Sequence, residues 1–346
     1  MKNSSTQEKQ SLQIVSSGIC CSVGYTARAA SCALRAGIDH FQESNFQTSD
    51  GDVVRVGCLP NTTDWGAKRQ SVWIAQAAKD CLDRAGSPKD DTLVLVALSA
   101  EPQRPGVHER KSTEAAIMSG SLLSRQLSGQ SHIIHGGRAG LTPALEHVWH
   151  TLSKGLCRQV LLIGFDSFLN AQAINHYLEQ DRLLVSDNSD GFLPGEAAAA
   201  VLLELGPAYS PGVHIIGWGK GEEPGRVDGS VPTRSMGMTA ALRQAFKQAG
   251  VNCNDLDFRI SDQNGESFFV TDAVNALTRV AEDGGSTPMV YTTADCTGEV
   301  GAATGPLMLA WLYHLLQGQD SPGDCGVIHL ANDGGERSAA VVQYRS

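Results

Sequence analysis

A thiol and two imidazoles are the side chains of this sequence best suited to nucleophilic catalysis. Cys296 supplies the thiol, and His132 and His135 flank a short apolar pair of residues. A thiol attacks as its thiolate, so it needs a neighbouring base or another group that lowers its pKa. Cys296 is therefore a candidate nucleophile, with His135 or His132 as its base. The interpretation that we favour is a small buried residue at a strand end, with structural roles for both histidines.

Other reactive residues lack the spacing that catalysis or metal binding requires. Asp166 and Ser167 are adjacent, but no G-x-S-x-G turn surrounds the serine, which disfavours a hydrolase site. The nine cysteines are scattered, and none forms a C-x-x-C pair or lies at ligand spacing from a histidine. The sequence therefore predicts no zinc site, no disulfide framework and no resident cofactor.

Charge and hydropathy exclude several classes of partner. The 346 residues carry a formal net charge of −10, which disfavours nucleic acid and anionic membrane surfaces. No apolar run approaches the roughly 20 residues that a membrane helix needs. Residues 1–11 are polar and lack the apolar segment of a secretory signal. We therefore expect a flexible N-terminal tail at residues 1–11 and a cytoplasmic protein.

Strand and helix patterns alternate through two consecutive halves, residues 12–205 and residues 206–346. In the first half, residues 112–127 begin with a good N-cap region and continue as a helical pattern. Residues 140–153 form an amphipathic helix near the middle of that half. The corresponding helix of the second half, residues 302–316, is apolar on nearly every side and should be buried. The pattern predicts an α/β protein.

Five segments resemble, in the same order along the chain, the β-ketoacyl synthase family of the thiolase superfamily. The run G-F-L-P-G-E at residues 191–196, with the apolar strand after it, is similar to the family's G-F-x-P-G-E-G-A strand. The run G-E-V-G-A-A-T-G at residues 298–305 aligns without gaps on the family's G-H-x-x-A-A-x-G motif. The other three segments are residues 14–41, residues 155–167 and residues 332–335.

This resemblance implies a thiolase fold, a five-layered α/β/α/β/α body built from the two similar halves. Two sheets would enclose two buried helices, residues 140–153 and residues 302–316. The resemblance also implies a homodimer, or a heterodimer with a ketosynthase-like subunit, and a pocket for a phosphopantetheine-linked acyl group on an acyl carrier protein. The family transfers an acyl group to a cysteine and then condenses it with a malonyl thioester by decarboxylation.

Three positions that should carry the family's Cys-His-His set hold other residues. The resemblance places Arg138 at the cysteine, Gln263 at the first histidine and Glu299 at the second. Arg is no nucleophile at any working pH, and a carboxylate repels an oxyanion instead of stabilising it. Because an isolated buried charge is costly, we expect Arg138 and Glu299 to form an ion pair, with Gln263 as an additional hydrogen-bonding neighbour.

The sequence therefore predicts a ketosynthase-like protein that acts by binding, as a non-catalytic partner or scaffold. A subunit of the chain-length-factor type and an adaptor in another assembly are both open. The alternative is an active acyltransferase that uses acyl thioesters and a non-standard residue such as Cys296. The sequence names neither the partner nor the acyl chain.

Overall fold

The computed structural model describes residues 9–59, 64–107, 110–281 and 288–346. Most of the expected N-terminal tail, residues 1–8, lies outside these ranges. The strands are Gln10–Cys21 (β1), Phe41–Gln47 (β2), Val53–Gly57 (β3), Val94–Ser99 (β4), His132–His135 (β5), Val160–Ser167 (β6), Glu196–Pro207 (β7), Gly212–Glu222 (β8), Phe258–Ser261 (β9), Met289–Thr292 (β10), Cys325–Ala331 (β11) and Glu336–Arg345 (β12). The α-helices are Ala27–Ala36 (α1), Gly66–Ala85 (α2), Arg110–Met118 (α3), Leu141–Ser153 (α4), Ala171–Glu179 (α5), Met236–Ala249 (α6), Ser267–Val280 (α7), Ala294–Thr297 (α8) and Thr304–Leu315 (α9).

Ten of the strands form one continuous sheet, where two separate sheets were expected, and the same strand order occurs twice in it. From the centre outwards, the order is β1-β7-β6-β4-β5 on one side and β8-β12-β11-β9-β10 on the other. The two sets meet through a short antiparallel contact in which Leu12 pairs with Ile215 and Ile14 with Val213. The division at residues 205 and 206 stays a prediction, and this repeated order supports it.

The layers alternate between helices and sheet, as the thiolase fold requires. Strand residues alternate sides, so along β7 Val201 and Leu203 pack with the central helices α4 and α9. Ala200 and Leu202 instead pack in the cluster that contains α2. A third cluster joins α6 and α7 to the outer face of β8, β11 and β12. The predicted five-layered α/β/α/β/α class is therefore confirmed.

The central helices are buried for the reason that the sequence indicates. Ten of the twelve residues of α9 are buried, and Leu307, Met308 and Leu309 have no exposed surface. In contrast, α3 ends at Met118, earlier than the predicted end at residue 127. Gly120 adopts a left-handed φ of 76° and stops the helix, and a short 3-10 turn follows.

One peripheral unit has no counterpart in the sequence prediction. It consists of the hairpin β2–β3 and the helix α5, which share a small apolar cluster containing Phe168, Tyr177 and Phe192. This unit matters because Tyr177 and Phe192 also line the candidate site. Within the described ranges, no helix is both long enough and apolar enough to cross a membrane.

Candidate functional site

Arg138 stands at the start of the turn that leads into the buried helix α4. Gly137 precedes it with φ of 53°, and residues 138–140 form a 3-10 turn before α4 begins at Leu141. With a ψ of −144°, Gly137 has a backbone conformation that favours glycine. The reversal at Gly137 turns Arg138 inward, and its side chain is 7% exposed.

Glu299 is held in place by the loop at residues 191–196. Its backbone N–H donates to the Leu193 carbonyl at 2.8 Å, and its carbonyl accepts from the Gly195 N–H at 2.9 Å. The Glu299 Oε1 atom accepts from the Gly301 N–H at 2.8 Å, at the start of the turn before α9. Backbone hydrogen bonds thus join residues 191–196 to residues 298–305, two of the segments that resemble ketosynthase motifs.

The expected ion pair is formed between these two elements. Arg138 Nη1 lies 2.9 Å from Glu299 Oε2. Asp333 and Asp262 lie nearby, at 3.3 Å and 3.7 Å from the guanidinium nitrogens. The guanidinium also stacks over the Phe269 ring, with its carbon 4.6 Å from the ring centre. Burial alone would lower the pKa of Arg138, but Glu299, Asp262 and Asp333 together raise it above its ordinary value.

The hydrogen-bonding neighbour of the pair is Asn264, so the prediction for Gln263 is wrong in this respect. Asn264 Nδ2 donates to Glu299 Oε2 and to Glu266 Oε2, each at 3.0 Å. The Gln263 side chain contributes no bond to the pair, and its Nε2 atom is buried without a partner. The loop after β9 turns between these residues, which directs the side chain of Asn264 towards Glu299.

A second arginine extends the cluster beyond what the sequence indicated. Arg182 Nε donates to Glu266 Oε1 at 2.6 Å, and its Nη1 donates to Asp333 Oδ2 at 2.7 Å. Asp333 therefore bridges Arg138 and Arg182. The only sequence signal for Asp333 is its place in the glycine-rich segment at residues 332–335.

Asp262 is the carboxylate of this cluster with the most altered acidity. It is buried, and its Oδ2 atom accepts from the Ala331 N–H at 2.6 Å. Burial raises the pKa of Asp262 to about 6, although Arg138 and the Ala331 N–H act in the opposite direction. The charge of this group therefore changes within an experimentally accessible pH range.

A cavity of about 240 Å³ opens beside the Arg138–Glu299 pair. Its wall combines aromatic rings, three guanidinium groups and several carboxylates. The lining residues are Glu101, Gln103, Arg104, Pro105, Arg138, Phe168, His176, Tyr177, Arg182, Phe192, Asn264, Glu299, Gly301, Asp333, Gly334 and Glu336. Among the described residues, no group of three or more His, Cys, Asp or Glu side chains is arranged to hold a metal ion.

The other candidate nucleophile lies apart from this cavity. Cys296 is 3% exposed and packs in the central apolar cluster. Burial, with Asp295 nearby, raises the pKa of the Cys296 thiol to about 11. Its proposed bases have other partners: His135 Nε2 lies 2.9 Å from Glu114 Oε1, and the His132 ring stacks on another histidine. In the part of the chain that the structure describes, no imidazole is paired with the Cys296 thiol.

The Asp166 and Ser167 side chains also have structural partners. Asp166 forms a buried ion pair with Arg104 and accepts from the Ala302 N–H at 2.9 Å. The Ser167 hydroxyl donates to Glu196 Oε2 at 3.4 Å. Among the described residues, neither side chain has a histidine as its partner.

Comparison of the sequence with known families and proteins identifies no relative. No family model matches the chain, and no curated protein matches it. The similarity is in the fold. A β-ketoacyl synthase from Burkholderia phymatum is 16% identical, with 97% of this chain and 100% of that chain covered and a TM-score of 0.76.

Two assemblies contain similarly folded chains. A type II polyketide ketosynthase, solved with its acyl carrier protein, is 12% identical, covers 98% of this chain and 100% of its own, and has a TM-score of 0.76. The ishigamide ketosynthase/chain length factor is 15% identical, with the same coverage and a TM-score of 0.71. The chain therefore has the thiolase-like fold of the ketosynthases. At these identities the similarity establishes the fold alone.

Proposed function

We propose that this protein uses the ketosynthase fold for binding and does not catalyse condensation. The observation that carries the proposal is the Arg138–Glu299 ion pair at the start of α4. The family resemblance puts the nucleophilic cysteine at Arg138 and a histidine at Glu299. An arginine is no nucleophile at any working pH, and the Glu299 carboxylate, 2.9 Å from the guanidinium, repels an oxyanion instead of stabilising it.

The network around the pair supports a permanent arrangement. Arg138 also contacts Asp333, and Asp333 in turn binds Arg182, so releasing Arg138 would expose several buried charges at once. Breaking a buried pair of this kind costs several kcal/mol. The charged cluster therefore occupies the position at which the family's cysteine carries its acyl group.

The alternative is an acyltransferase that uses Cys296. Two observations argue against it: burial raises the pKa of the Cys296 thiol to about 11, and Cys296 does not line the cavity beside Arg138. A thiol with such a high pKa is almost wholly protonated at neutral pH and is a poor nucleophile.

We further propose that the protein works as one subunit of a dimer, with either a second copy or a ketosynthase-like partner. Chain length factors, one of which shares this fold, offer a precedent. Support comes from β5, which ends the sheet and has a strand partner on one side only within the described ranges. An open strand edge of this kind is suited to pairing with another chain.

Docking of an acyl carrier protein receives less support from the charged side chains. Four basic residues within residues 64–114, which could attract an acidic carrier, are paired with carboxylates of the same chain. These pairs are Lys68–Asp64, Arg69–Glu196, Arg104–Asp166 and Arg110–Glu114. Carrier-protein binding and a cytoplasmic location stay predictions.

Intact-protein mass spectrometry after incubation with acyl and malonyl thioesters of an acyl carrier protein tests the absence of catalysis. We expect no adduct and no decarboxylation. Cys32 is exposed and could be acylated non-specifically, so Cys32→Ala serves as the control. An adduct that persists in Cys32→Ala and disappears in Cys296→Ala would overturn the proposal and identify an unusual acyltransferase.

Analytical ultracentrifugation tests the dimer. We expect a dimer, alone or with a co-expressed ketosynthase, that Ile133→Asp in β5 disrupts. Ile38→Asp is the matched control because Ile38 is 58% exposed and distant from β5 in the chain. A monomer with every partner tried, or equal effects of both substitutions, would contradict pairing through β5.

A further inference from the structure

Arg104 lines two cavities, the one beside Arg138 and a larger one of about 420 Å³. We call the larger one the Trp73 cavity, after the buried tryptophan in its wall. The start of α2, the end of β4 with the loop after it, the end of β6 and the start of α5 form this wall. Its volume lies within the roughly 300–1,000 Å³ of small-molecule sites, so it is large enough for a ligand of its own.

The side chains that line the Trp73 cavity carry more positive than negative charge. Arg69, Arg104 and Arg110 line it, and Asp166 is the one acidic side chain of the lining among the described residues. The carboxylates that pair with Arg69 and Arg110 do not line the cavity. A ligand inside is therefore nearer to the guanidinium groups than to most of their partners, and this arrangement favours a negative charge.

Arg104 supplies the observation that points to a ligand. Its side chain is 8% exposed, and its Nη2 atom donates to Asp166. Its Nε and Nη1 atoms are buried and have no hydrogen-bond partner among the described residues. Burial alone would lower the pKa of Arg104, but Asp166 and Glu101 raise it above its ordinary value, so the guanidinium stays charged. Charged donors that are buried without an acceptor are unfavourable, and a ligand oxygen would remove that cost.

Arg110 contributes a further donor of the same kind. Its Nη1 atom donates to the Ala100 carbonyl at 3.0 Å. Its buried Nε atom lies 3.1 Å from Glu114 Oε1 without the alignment of a hydrogen bond, and it has no other partner among the described residues. Two arginines of one wall thus have donors that call for an acceptor.

Aromatic side chains form the apolar part of the same wall. Trp73 and Phe165 are 1% and 2% exposed, and both line the cavity. Trp65 also lines it but is 64% exposed, which places this residue at the rim. Aromatic side chains pack favourably against other rings, so the wall suits a flat apolar group beside the acceptor.

We propose that the Trp73 cavity binds a small aromatic carboxylate. The carboxylate accepts hydrogen bonds from Arg104 and Arg110, and the ring packs along Trp73 and Phe165. Guanidinium donors match carboxylate oxygens in geometry and bind them by charge-assisted hydrogen bonds. The inference goes beyond the proposed function and does not depend on it, because neither Arg138 nor Glu299 lines this cavity.

Isothermal titration calorimetry with sodium benzoate on the full chain tests the proposal. We expect saturable binding with a dissociation constant of about 1 mM or tighter. Benzamide, which has nearly the same shape but no charge, and benzylammonium, which is a cation, should bind at least about tenfold more weakly. Benzamide binding as tight as that of benzoate, preference for benzylammonium, or no binding of benzoate would overturn the inference.

A conservative substitution locates the carboxylate. Arg104→Lys keeps a cation for Asp166 but removes the Nε and Nη1 donors, so benzoate should bind about tenfold more weakly. Arg84→Lys is the matched control, because Arg84 is an ion-paired arginine of α2 that does not line the cavity. Unchanged benzoate affinity in Arg104→Lys, with a thermal unfolding curve like that of the wild type, would contradict the assigned site.

Charge changes at the rim test the same site without altering its buried residues. Gln172 is exposed, lines the cavity and stands near the start of α5. Gln172→Lys should tighten benzoate binding about twofold, and Gln172→Glu should weaken it about twofold, because the added charge acts on the carboxylate through partly screened space. This pair of variants keeps the proposal testable if Arg104→Lys does not fold. Equal benzoate affinity in the two variants would overturn the inference.

Discussion

The two central helices begin in the same way but carry opposite charges at their starts. Each is preceded by a glycine-rich segment and a 3-10 turn, at residues 138–140 before α4 and residues 301–303 before α9. Arg138 stands at the first start, and Glu299 stands just before the second. The two meet at 2.9 Å in the middle of the molecule.

The local backbone favours one of these charges and opposes the other. A helix N-terminus carries a partial positive charge, which stabilises a carboxylate and destabilises a guanidinium. Glu299 uses this effect directly, since its Oε1 atom accepts from the Gly301 N–H. Arg138 has no such local support and depends on carboxylates from distant parts of the chain. The comparison shows that Glu299 is the member of the pair on which the other depends.

Replacing Glu299 should therefore have the largest effect. Glu299→Leu leaves Arg138 buried at a helix start and also removes the acceptor for Gly301 and Asn264. We expect a loss of about 3–5 kcal/mol in the free energy of unfolding, measured by urea denaturation. A loss below about 1 kcal/mol would mean that Arg138 does not depend on Glu299.

Replacing Arg138 should cost less, because it also removes an unfavourable charge at the start of α4. We expect Arg138→Met to lower the free energy of unfolding by about 2–3 kcal/mol. The double variant Arg138→Met/Glu299→Leu should be more stable than the sum of the two losses predicts, by about 2 kcal/mol or more. Additive losses in this double-mutant cycle would contradict a direct interaction.

The pH dependence of the free energy of unfolding tests whether Asp262, which lies beside the Arg138–Glu299 pair, titrates near pH 6. Asp262 has a pKa of about 6 in the folded chain and 3.8 as its ordinary value. Between these two pH values the folded state binds more protons at Asp262 than the unfolded state does. The contribution of protonated Asp262 to the free energy of unfolding is therefore complete below pH 3.8 and is lost as the pH rises through 6. The loss corresponds to roughly 2–3 kcal/mol.

Asp262→Asn should remove that loss, so the variant should gain stability relative to the wild type between about pH 4 and pH 7. Urea denaturation at several pH values measures the difference. Asp320→Asn, at a site where the aspartate side chain is 73% exposed, is the control and should keep the wild-type slope. Parallel slopes for the wild type and Asp262→Asn would show that Asp262 does not titrate in this range.

The smallest expected losses of stability distinguish Asn264 from its neighbour Gln263. Asn264→Ala removes both hydrogen bonds to Glu299 and Glu266 and should cost about 1–3 kcal/mol. Gln263→Ala removes a buried amide nitrogen that has no partner, so its effect should be within about 0.5 kcal/mol of zero. Thermal unfolding of the two variants side by side measures this, and equal losses would place Gln263 in the network as well.

The sequence by itself was sufficient for the fold and for the central pair. The apolar residues of α9 predict a buried helix because such a surface is stable only when it is covered on all sides. The segments at residues 191–196 and 298–305 identified the family fold. The family resemblance placed Arg138 and Glu299 in one site, and their opposite charges then predicted the ion pair, because neither charge is tolerated alone when buried.

What surrounds the pair was decided by the tertiary structure. Asp262, Asp333 and Arg182 belong to loops that lie far apart in the sequence, and no local pattern shows that they converge. The choice of Asn264 over Gln263 depends on the backbone of one turn, which sets the direction of each side chain. The aromatic wall contributed by Tyr177 depends on where α5 packs. These contacts between distant segments arise only once the chain is folded, and they determine what the cavity is able to bind.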